Sequence, residues 1–372
     1  MPDLVSALRR PIEPRPVSVV EQFLAGLGAR FDGFMVRLWM RSDRLSSFVD
    51  PVLREHLERA CTFYGNPVFL TDPETFFAPP ERPSAVREIH VRRLPGGACV
   101  DVAFPSTFLP VYAAARADFA SFTENRIARA RWWRHAGERR PTVLCLHGYA
   151  SGHPGVDGLA FDARGLYRAG LDVVLLTLPF HWRRRPRGAR KSGEGFFGPD
   201  MVRTNEAFAQ TIFDARALMR HVEAAGGGPV GAFGMSLGAY ATALLAAVEP
   251  QLAFAIAMVP VVSLTDLVWG EPLHRYRREE AEAHGVTLPR FRELWQVHAP
   301  LHRRPLVPRE RRFVIGALGD RICPPAHAAT LWEHWDRPRM HWYPGGHLAQ
   351  FRRGRVHAEV RRFLTEVGAA CA

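Results

Sequence analysis

The stretch VGAFGMSLG (residues 230–238) joins a short apolar run to a segment with helical periodicity. It places the pattern G-x-S-x-G between a predicted strand, Val230–Phe233, and a predicted helix, Leu237–Val248. A serine here stands on a tight, strained turn, because the flanking glycines lack the Cβ atoms that would collide with the strand and the helix. The free N–H groups of the helix start point at the same place. We therefore predict a nucleophile at Ser236 and an oxyanion donor in the N–H of Leu237.

Two further polar residues follow later predicted strands, as such a nucleophile requires. Asp320 comes after the run Arg312–Leu318, and His347 lies in the turn after a strand near residues 340–343. We expect His347 to take the proton of the serine and Asp320 to fix the imidazole tautomer and stabilise its cation. Asp266, after the preceding strand, is the alternative acid. His341 is a poorer base because it lies within a strand pattern.

A second oxyanion donor is expected directly after the predicted strand Thr142–Leu146. Gly148 lets the backbone turn back towards the nucleophile, and the N–H of Tyr149 is the candidate donor. We interpret His147 as a hydrogen-bonding residue of this loop and not as a base. Together with Gly148 it is also expected to line the substrate site.

Apolar runs and helical patterns alternate from residue 86 onward. The predicted strands are 86–94, 98–104, 126–134, 142–146, 171–177, 230–233, 252–259, 312–318 and 340–343, and the predicted helices are 112–123, 156–168, 204–225, 237–248 and 326–335. The short apolar runs are bounded by Gly, Pro or charge, as in parallel strands covered on both faces. The alternation predicts an open, mostly parallel α/β sheet, whose ligands bind at the carboxyl ends of the strands.

The first 85 residues differ from the rest and are predicted to form an N-terminal helical extension. Val19–Met40 carries apolar residues at three- and four-residue steps, and a second helix is expected over Asp50–Thr62. We expect the apolar face of the first helix to pack on the main domain. Peripheral contact with a membrane surface is the alternative.

Two inserts are candidates for shaping the substrate pocket. A basic loop that includes Arg183, Arg184 and Lys191 follows the strand 171–177, and either attracts an anionic substrate or is plain solvated surface. The second insert, residues 264–311, contains Trp269 and has an apolar face of its own. We interpret it as a helical cap over Ser236, with Trp269 as a substrate contact; a cap that only packs is the alternative.

With these motifs in place, the chain resembles the α/β-hydrolase superfamily from about residue 86 to residue 372. The resemblance depends on His147-Gly148, on the G-x-S-x-G stretch, on Gly319-Asp320 and on Gly346-His347, in the order Ser, Asp, His. A looser resemblance, to the dienelactone-hydrolase-like and alpha/beta hydrolase domain-containing subgroups, depends on Leu178-Pro179-Phe180-His181 and the basic segment after it. The resemblance implies an eight-stranded, mostly parallel sheet with helices on both faces and a serine-dependent hydrolase. The extension, residues 1–85, is not part of the minimal fold.

Composition narrows the classes of partner. The net charge is +12, but 48 of the 49 basic residues are arginine, with Lys191 the exception, and they are spread along the whole chain. No nucleic-acid-binding signature accompanies them, so we do not expect nucleic acid as a partner. The longest apolar run, Leu252–Val262, is shorter than the roughly 20 residues of a transmembrane helix. The start has no signal-peptide pattern and the five cysteines never pair as C-x-x-C, which favours a cytoplasmic protein with reduced thiols.

The sequence thus predicts an esterase-like or lipase-like serine hydrolase that acts on a small carboxylic ester through an acyl-enzyme, with anionic and lipid-like esters as the candidate substrates. Thioesters and amides are alternative substrates. No metal or cofactor is expected, since the triad supplies its own base. A binding or scaffold protein that keeps the fold is the alternative function, although such proteins usually lose the serine or the histidine.

Overall fold

A computed structural model describes residues 17–43, 53–197, 200–270, 278–279, 282–283 and 285–370. Within them, nine strands form one sheet in the order β1-β2-β3-β5-β4-β6-β7-β8-β9. The strands are β1 (Arg87–Leu94), β2 (Gly97–Pro105), β3 (Ile127–His135), β4 (Thr142–Leu146), β5 (Asp172–Thr177), β6 (Val230–Met235), β7 (Ala255–Met258), β8 (Arg312–Ala317) and β9 (Arg339–Tyr343). The sheet has one strand more than the eight that the resemblance implied.

Direction of pairing changes once across the sheet. β1, β2, β3 and β5 pair antiparallel in turn, and every pair from β5 through β4 to β9 is parallel. The mostly parallel sheet predicted from the alternation is therefore confirmed. Because β4 to β9 are parallel, their carboxyl ends lie at one edge, where the loops with the candidate site residues begin.

Side chains alternate along each central strand between two buried clusters, one on each face of the sheet. In β4, Leu144 and Leu146 belong to the larger cluster, while Val143 and Cys145 belong to the smaller one. β5 alternates in the same way. This two-sided burial explains why both strands read as continuous apolar runs.

Helices cover both faces. The bounds are α1 (Val19–Asp43), α2 (Leu53–Tyr64), α3 (Val68–Thr71), α4 (Arg116–Ser121), α5 (Pro154–Ala160), α6 (Ala163–Arg168), α7 (Met201–Ala224), α8 (Leu237–Val248), α9 (Leu264–Gly270), α10 (Leu288–Trp295), α11 (Pro325–His334) and α12 (Arg353–Glu366). α7, α8 and α11 bury residues in the larger cluster, and α6 and α12 do so in the smaller one. Among the described helices none is long and apolar enough to cross a bilayer.

Three predicted elements differ most from the structure in their bounds, while several others differ at their ends by up to three residues. The single helix expected over 156–168 is two helices, α5 and α6, because Asp162 adopts a left-handed conformation (φ 52°) and caps α6 with its carboxylate. The helix expected over 112–123 shortens to α4 between two 3₁₀ turns. The strand expected over 252–259 is only the four-residue β7.

The first helix packs through the face opposite to the one we expected. The face of this helix that is buried carries polar, small and aliphatic residues, namely Glu21, Gly28, Asp32 and Val36. Its apolar residues Val19, Val20, Phe23, Leu27, Phe31 and Phe34 are exposed, Phe23 to 66% and Phe34 to 63%. The helix does pack on the main domain, as expected, but through this polar and small face, because Asp32 accepts backbone N–H groups from the loops after β8 and β9; the expectation that its apolar face makes the contact is wrong.

The described part of the 264–311 insert consists of α9, α10 and three 3₁₀ turns. α10 packs against α2, so the insert also contacts the N-terminal extension. Residues 271–277, 280–281 and 284 of the predicted insert lie outside the described residues, as do residues 1–16, the start of the second predicted helix and 198–199 of the basic segment. The division at residue 85 and the cap limits 264–311 stay predictions.

Candidate active site

The turn between β6 and α8 has the geometry that a nucleophile needs. Ser236 adopts φ 54° and ψ −114°, a strained conformation, and its N–H donates to Met258 O at 3.0 Å. A Cβ on Gly234 would lie 2.0 Å from Gly238 O, and one on Gly238 would lie 1.8 Å from Leu146 O. Both positions therefore require glycine. Ser236 is the one partly exposed residue in an otherwise buried stretch from 230 to 248.

Asp320 and His347 lie in contact in the loops after β8 and β9. His347 Nδ1 and Asp320 Oδ2 are 2.7 Å apart, and both side chains are buried. The other carboxylate oxygen, Oδ1, accepts the N–H groups of Ile322 at 2.9 Å and Cys323 at 2.7 Å. Because each oxygen has its own donors, the carboxylate presents one fixed oxygen to the imidazole.

Cys323, which we did not select from the sequence, lies beside both the Ser236 hydroxyl and the His347 imidazole. One small side chain thus interacts with both the nucleophile candidate and the base candidate. Burial raises the pKa of the Cys323 thiol, which keeps it neutral at pH 7. Its spacing of three residues from Asp320 was the only signal in the sequence, and that spacing is not specific.

Opposing effects act on the imidazole of His347. Burial disfavours the charged ring, but the Asp320 carboxylate, helped by Cys323, outweighs burial and raises the pKa of His347 well above its usual 6.5. The ring therefore accepts a proton readily once it is neutral. This property suits a general base.

The loop after β4 approaches the nucleophile. A Cβ added at Gly148 would lie 3.5 Å from Ser236 Cβ, so the backbone of this loop passes directly over the serine. Asp157 at the start of α5 holds the loop by accepting the Ser151 hydroxyl and the Gly152 N–H. The Tyr149 ring packs edge-on against His181.

His147 is not placed to contact a substrate. Its Nε2 accepts the N–H of Leu178 at 3.0 Å, and its Nδ1 lies 2.8 Å from Gly148 O. Burial lowers the pKa of this ring, which favours the neutral form that both bonds require. His147 joins the loops after β4 and β5, and the expected substrate contact is corrected to a structural one.

Arg184 is also not a surface residue. It is fully buried, its guanidinium pairs with Asp214 at 2.7 Å, and it donates to the carbonyls of Thr177 and Asn125. We correct the expectation that it binds substrate: its donors are turned inward. Arg183, next to it, is exposed, and it borders an open depression of ≈ 390 Å³ on the basic loop.

The alternative residues lie elsewhere. Asp266 pairs with Arg292 at 2.6 Å and accepts the Ser263 hydroxyl, so it is bound within the insert region and not to His347. His341 lies in β9, as its strand pattern indicated. Trp269 packs against Phe291 with ring centroids 6.0 Å apart.

A cavity of ≈ 350 Å³ lies between α8, the loop after β7 and the insert. Its lining includes Tyr240, one helical turn beyond Ser236, together with Val262, Asp266 and Trp295. Trp269 is not among the lining residues. In the described ranges, no group of three or more His, Cys, Asp or Glu is arranged to hold a metal ion.

One more residue contacts the site from far along the chain. The carboxylate of Asp32, in α1, accepts the backbone N–H of His347 at 2.6 Å. Nothing in the sequence pattern of α1 signalled this contact, since Asp32 lies within what reads as an ordinary amphipathic helix.

The nucleophile turn, the strand order and the loops after β8 and β9 define an α/β hydrolase. The chain belongs to this superfamily: the family described as alpha/beta hydrolase domain containing 18 matches residues 117–269. An uncharacterized protein of Mycobacterium tuberculosis H37Rv is 34% identical over 316 residues, which are 82% of this chain and 73% of the relative. The uncharacterized protein YdjC of Bacillus subtilis is 32% identical over 80 residues, 22% of this chain and 69% of the relative.

Solved structures with the same fold include two acetyl xylan esterases. Acetyl xylan esterase 1 from Thermoanaerobacterium sp. JW/SL YS485 matches with a TM-score of 0.50 and 16% identity, over 82% of this chain and 93% of that one. The acetyl xylan esterase from Paenibacillus sp. R4 has a TM-score of 0.53 and 12% identity, over 87% and 96%. Likeness at this identity concerns the fold alone.

Proposed function

We propose that the protein is a serine hydrolase that cleaves a carboxylic ester, with Ser236 as nucleophile, His347 as general base and acid, and Asp320 as the residue that orients the imidazole. The observation that carries the proposal is the 2.7 Å contact between His347 Nδ1 and Asp320 Oδ2 beside a serine at φ 54°. A buried imidazole–carboxylate pair next to a strained, partly exposed serine has the arrangement of an acyl-transfer site.

In the first half of the reaction, the Ser236 hydroxyl attacks the ester carbonyl carbon and its proton passes to His347 Nε2. The proton on Nδ1 stays on that nitrogen. The Nδ1–H group donates a hydrogen bond to the Asp320 carboxylate, whose negative charge stabilises the imidazolium. The tetrahedral intermediate then collapses. The bond to the alcohol oxygen breaks, the alcohol leaves with the proton from Nε2, and an ester of Ser236 remains.

Water completes the cycle. His347 Nε2 takes a proton from a water molecule, whose oxygen attacks the acyl carbon of the Ser236 ester. When this second intermediate collapses, the carboxylic acid leaves and Nε2 returns the proton to the serine oxygen. No electrons are exchanged, so the chemistry needs no redox group.

Two backbone N–H groups are our candidates to hold the oxyanion. Leu237 is the first residue of α8, so its N–H has no acceptor within the helix and lies at the positive end of the helix dipole. Tyr149 follows Gly148 in the loop that passes over Ser236. Each donor of this kind contributes about 2.7–4 kcal/mol to transition-state stabilisation in hydrolases.

The substrate class is proposed from the cavity beside α8 and from the exposed residues of the basic loop and of α1. The ≈ 350 Å³ cavity beyond Tyr240 can take a short acyl group, and the exposed Arg183 on the basic loop favours an ester with an anionic part. The exposed phenylalanine face of α1, flanked by Arg30 and Arg37, supports peripheral contact with an anionic lipid surface. Flotation with anionic liposomes, for the wild type against a Phe23→Ser, Phe34→Ser variant, tests that contact.

A cytoplasmic location is part of the proposal. It is supported by the four described cysteines, Cys61, Cys99, Cys145 and Cys323, all free and buried.

Labelling with a fluorophosphonate probe tests the function. The full-length protein should be labelled at Ser236, and Ser236→Ala should abolish labelling while folding normally. Ser263→Ala is the matched control. Ser263 lies near the same edge of the sheet, and its hydroxyl donates a hydrogen bond to Asp266. A folded wild type that is not labelled, or a Ser236→Ala variant that still is, contradicts the proposal and favours a binding or scaffold protein.

A further inference from the structure

The carboxylate of Asp32 accepts three backbone N–H groups from the two loops that carry Asp320 and His347. Its Oδ2 accepts the N–H of His347 at 2.6 Å and that of Arg321 at 3.3 Å, and its Oδ1 accepts the N–H of Leu348 at 3.1 Å. Asp32 is 0% exposed. One side chain of α1 thus joins the loop after β8 to the loop after β9.

The backbone of α1 lies in close contact with the backbone of these two loops. A Cβ on Gly28 would lie 2.2 Å from Gly346 N, and one on Gly319 would lie 2.1 Å from Ala25 O. Ala25, Gly28 and Asp32 follow one another at steps of three and four residues, which is one face of a helix. This small, acidic face is the one that α1 buries, so its phenylalanines remain outside.

The loops also contact each other beneath the helix. The N–H of Gly319, directly before Asp320, donates at 2.7 Å to the carbonyl oxygen of Gly345, two residues before His347. Gly345 has φ 135°, a conformation open only to glycine, and the Gly-Gly pair before His347 has no side chains to limit its motion. The loop has hydrogen bonds of its own at Gly346, to Ala349 O and from the Tyr343 hydroxyl, and the backbone N–H of His347 itself donates to Asp32.

Burying this carboxylate is costly, so the contact does not arise from stability alone. Burial raises the pKa of Asp32 above its usual value, and the nearby charge of Asp320 adds to the rise, while the three N–H bonds oppose it. A site that keeps a second buried carboxylate beside Asp320 at this cost has a reason to do so.

We propose that Asp32 is a positioning residue for the general base: it holds the backbone of His347 so that the imidazole meets both Asp320 and the nucleophile. This inference rests on the proposed function of Ser236 and His347. Asp32 touches no reacting atom and acts only through the loops it joins.

Two substitutions of Asp32 remove its hydrogen bonds to different extents. Asp32→Ala removes all three acceptors, whereas Asp32→Asn can keep its carbonyl oxygen at the Oδ2 position and lose only the bond to Leu348. We expect kcat, per fluorophosphonate-titrated site, to fall about 10- to 100-fold in Asp32→Ala and less in Asp32→Asn, because small misplacements of a catalytic group are costly. KM should stay within about twofold in both, since the substrate pocket is untouched.

Two further variants separate positioning from general stability. Glu21→Gln changes a buried acid eleven positions earlier on the same helix, whose carboxylate accepts the backbone N–H and the hydroxyl of Ser18, and it should leave kcat unchanged. Gly28→Ala keeps Asp32 but pushes α1 away from Gly346, and it should lower kcat like the Asp32 variants. If Asp32→Ala does not fold, Asp32→Asn and Gly28→Ala carry the test.

Hydrogen exchange distinguishes a failure of this inference from a failure of the proposed function. The amides of His347 and Leu348 should exchange faster in Asp32→Ala than in the wild type or in Glu21→Gln, whether or not the protein hydrolyses esters. Unchanged exchange overturns the inference. So does a kcat per titrated site that equals the wild-type value, even where the midpoint of unfolding falls.

Discussion

The nucleophile side of the site, formed by the loops after β4, β5 and β6, and the base side, formed by the loops after β8 and β9, are held by different parts of the chain. On the nucleophile side, Gly238 packs on Leu146 and Arg184 pairs with Asp214, all within the predicted hydrolase domain. On the base side, the N–H of His347 donates to a residue 315 positions earlier in the sequence.

Position in the sheet explains this difference. β4 and β6 are central and have neighbours on both sides, so the loops that follow them are packed by the sheet and its helices. β9 is an edge strand and pairs with a neighbouring strand on one side only. The N-terminal helix adds contacts to the loops after β8 and β9 through Asp32.

The largest effect is expected from Asp320 on the base side. In Asp320→Asn the carbonyl oxygen stays on the N–H groups of Ile322 and Cys323, and the amide nitrogen then faces His347 Nδ1. This places the imidazole proton on Nε2, so Nε2 cannot accept the proton of the nucleophile, and kcat should fall about 10⁴-fold. Steady-state ester hydrolysis measures the loss.

The matched control for this change is Asp172→Asn, which removes a buried carboxylate that also contacts a histidine, His135, but lies at the start of β5, at the opposite end of the sheet. It should change kcat per folded molecule by no more than a few-fold. Equal losses in the two variants would show that Asp320 has no special relation to His347 and would remove the distinction between the two sides.

The buried ion pair on the nucleophile side should affect the stability of the fold and not the rate of the chemical step. Arg184→Met leaves Asp214 buried without its partner, which should lower the free energy of unfolding by about 3–5 kcal/mol. Urea denaturation measures this, and kcat per folded molecule should stay near the wild-type value. Arg183→Met, one residue away and exposed, is the control and should cost little. A loss below about 1 kcal/mol in Arg184→Met would contradict the buried pair.

The pH dependence reports the base side directly. In the proposed mechanism the neutral form of His347 is the base. Burial acts to lower the pKa of this imidazole, but the Asp320 carboxylate outweighs burial and holds the pKa well above 6.5. Activity should therefore fall as the pH drops through this raised pKa, by about tenfold in kcat/KM per pH unit on the acid limb. A pH–rate profile measures the limb. A midpoint at or below 6.5 would show that Asp320 does not outweigh burial.

The smallest effect is expected at the basic loop. Arg183→Ala should lower kcat/KM for an anionic ester about twofold to fivefold at low ionic strength, because exposed charges interact weakly. A neutral ester of the same size should be unaffected, and salt should remove the difference. Comparing both esters at two salt concentrations tests this. An equal rate on both would make the loop ordinary surface.

Much of this protein follows from local patterns in its sequence. The alternation of apolar runs and helical periods was enough to predict a mostly parallel sheet, and the G-x-S-x-G stretch predicted the turn at Ser236 that the structure has. The placing of Asp320 and His347 after successive strands anticipated their contact. These signals are local because strand burial and tight turns depend on neighbouring residues.

Contacts between distant segments were decided only by the tertiary structure. Arg183 and Arg184 look alike in the sequence, yet one is exposed and the other pairs with Asp214 in the interior. The periodicity of α1 predicted a helix but indicated that its apolar face would be buried. A hydrophobicity pattern does not show that the Asp32 carboxylate accepts the backbone N–H of His347, and this contact lies on the face that is buried. A sequence pattern indicates the average burial of each residue type. The actual burial of a side chain and its hydrogen-bond partners depend on the distant segment that packs against it in the folded protein.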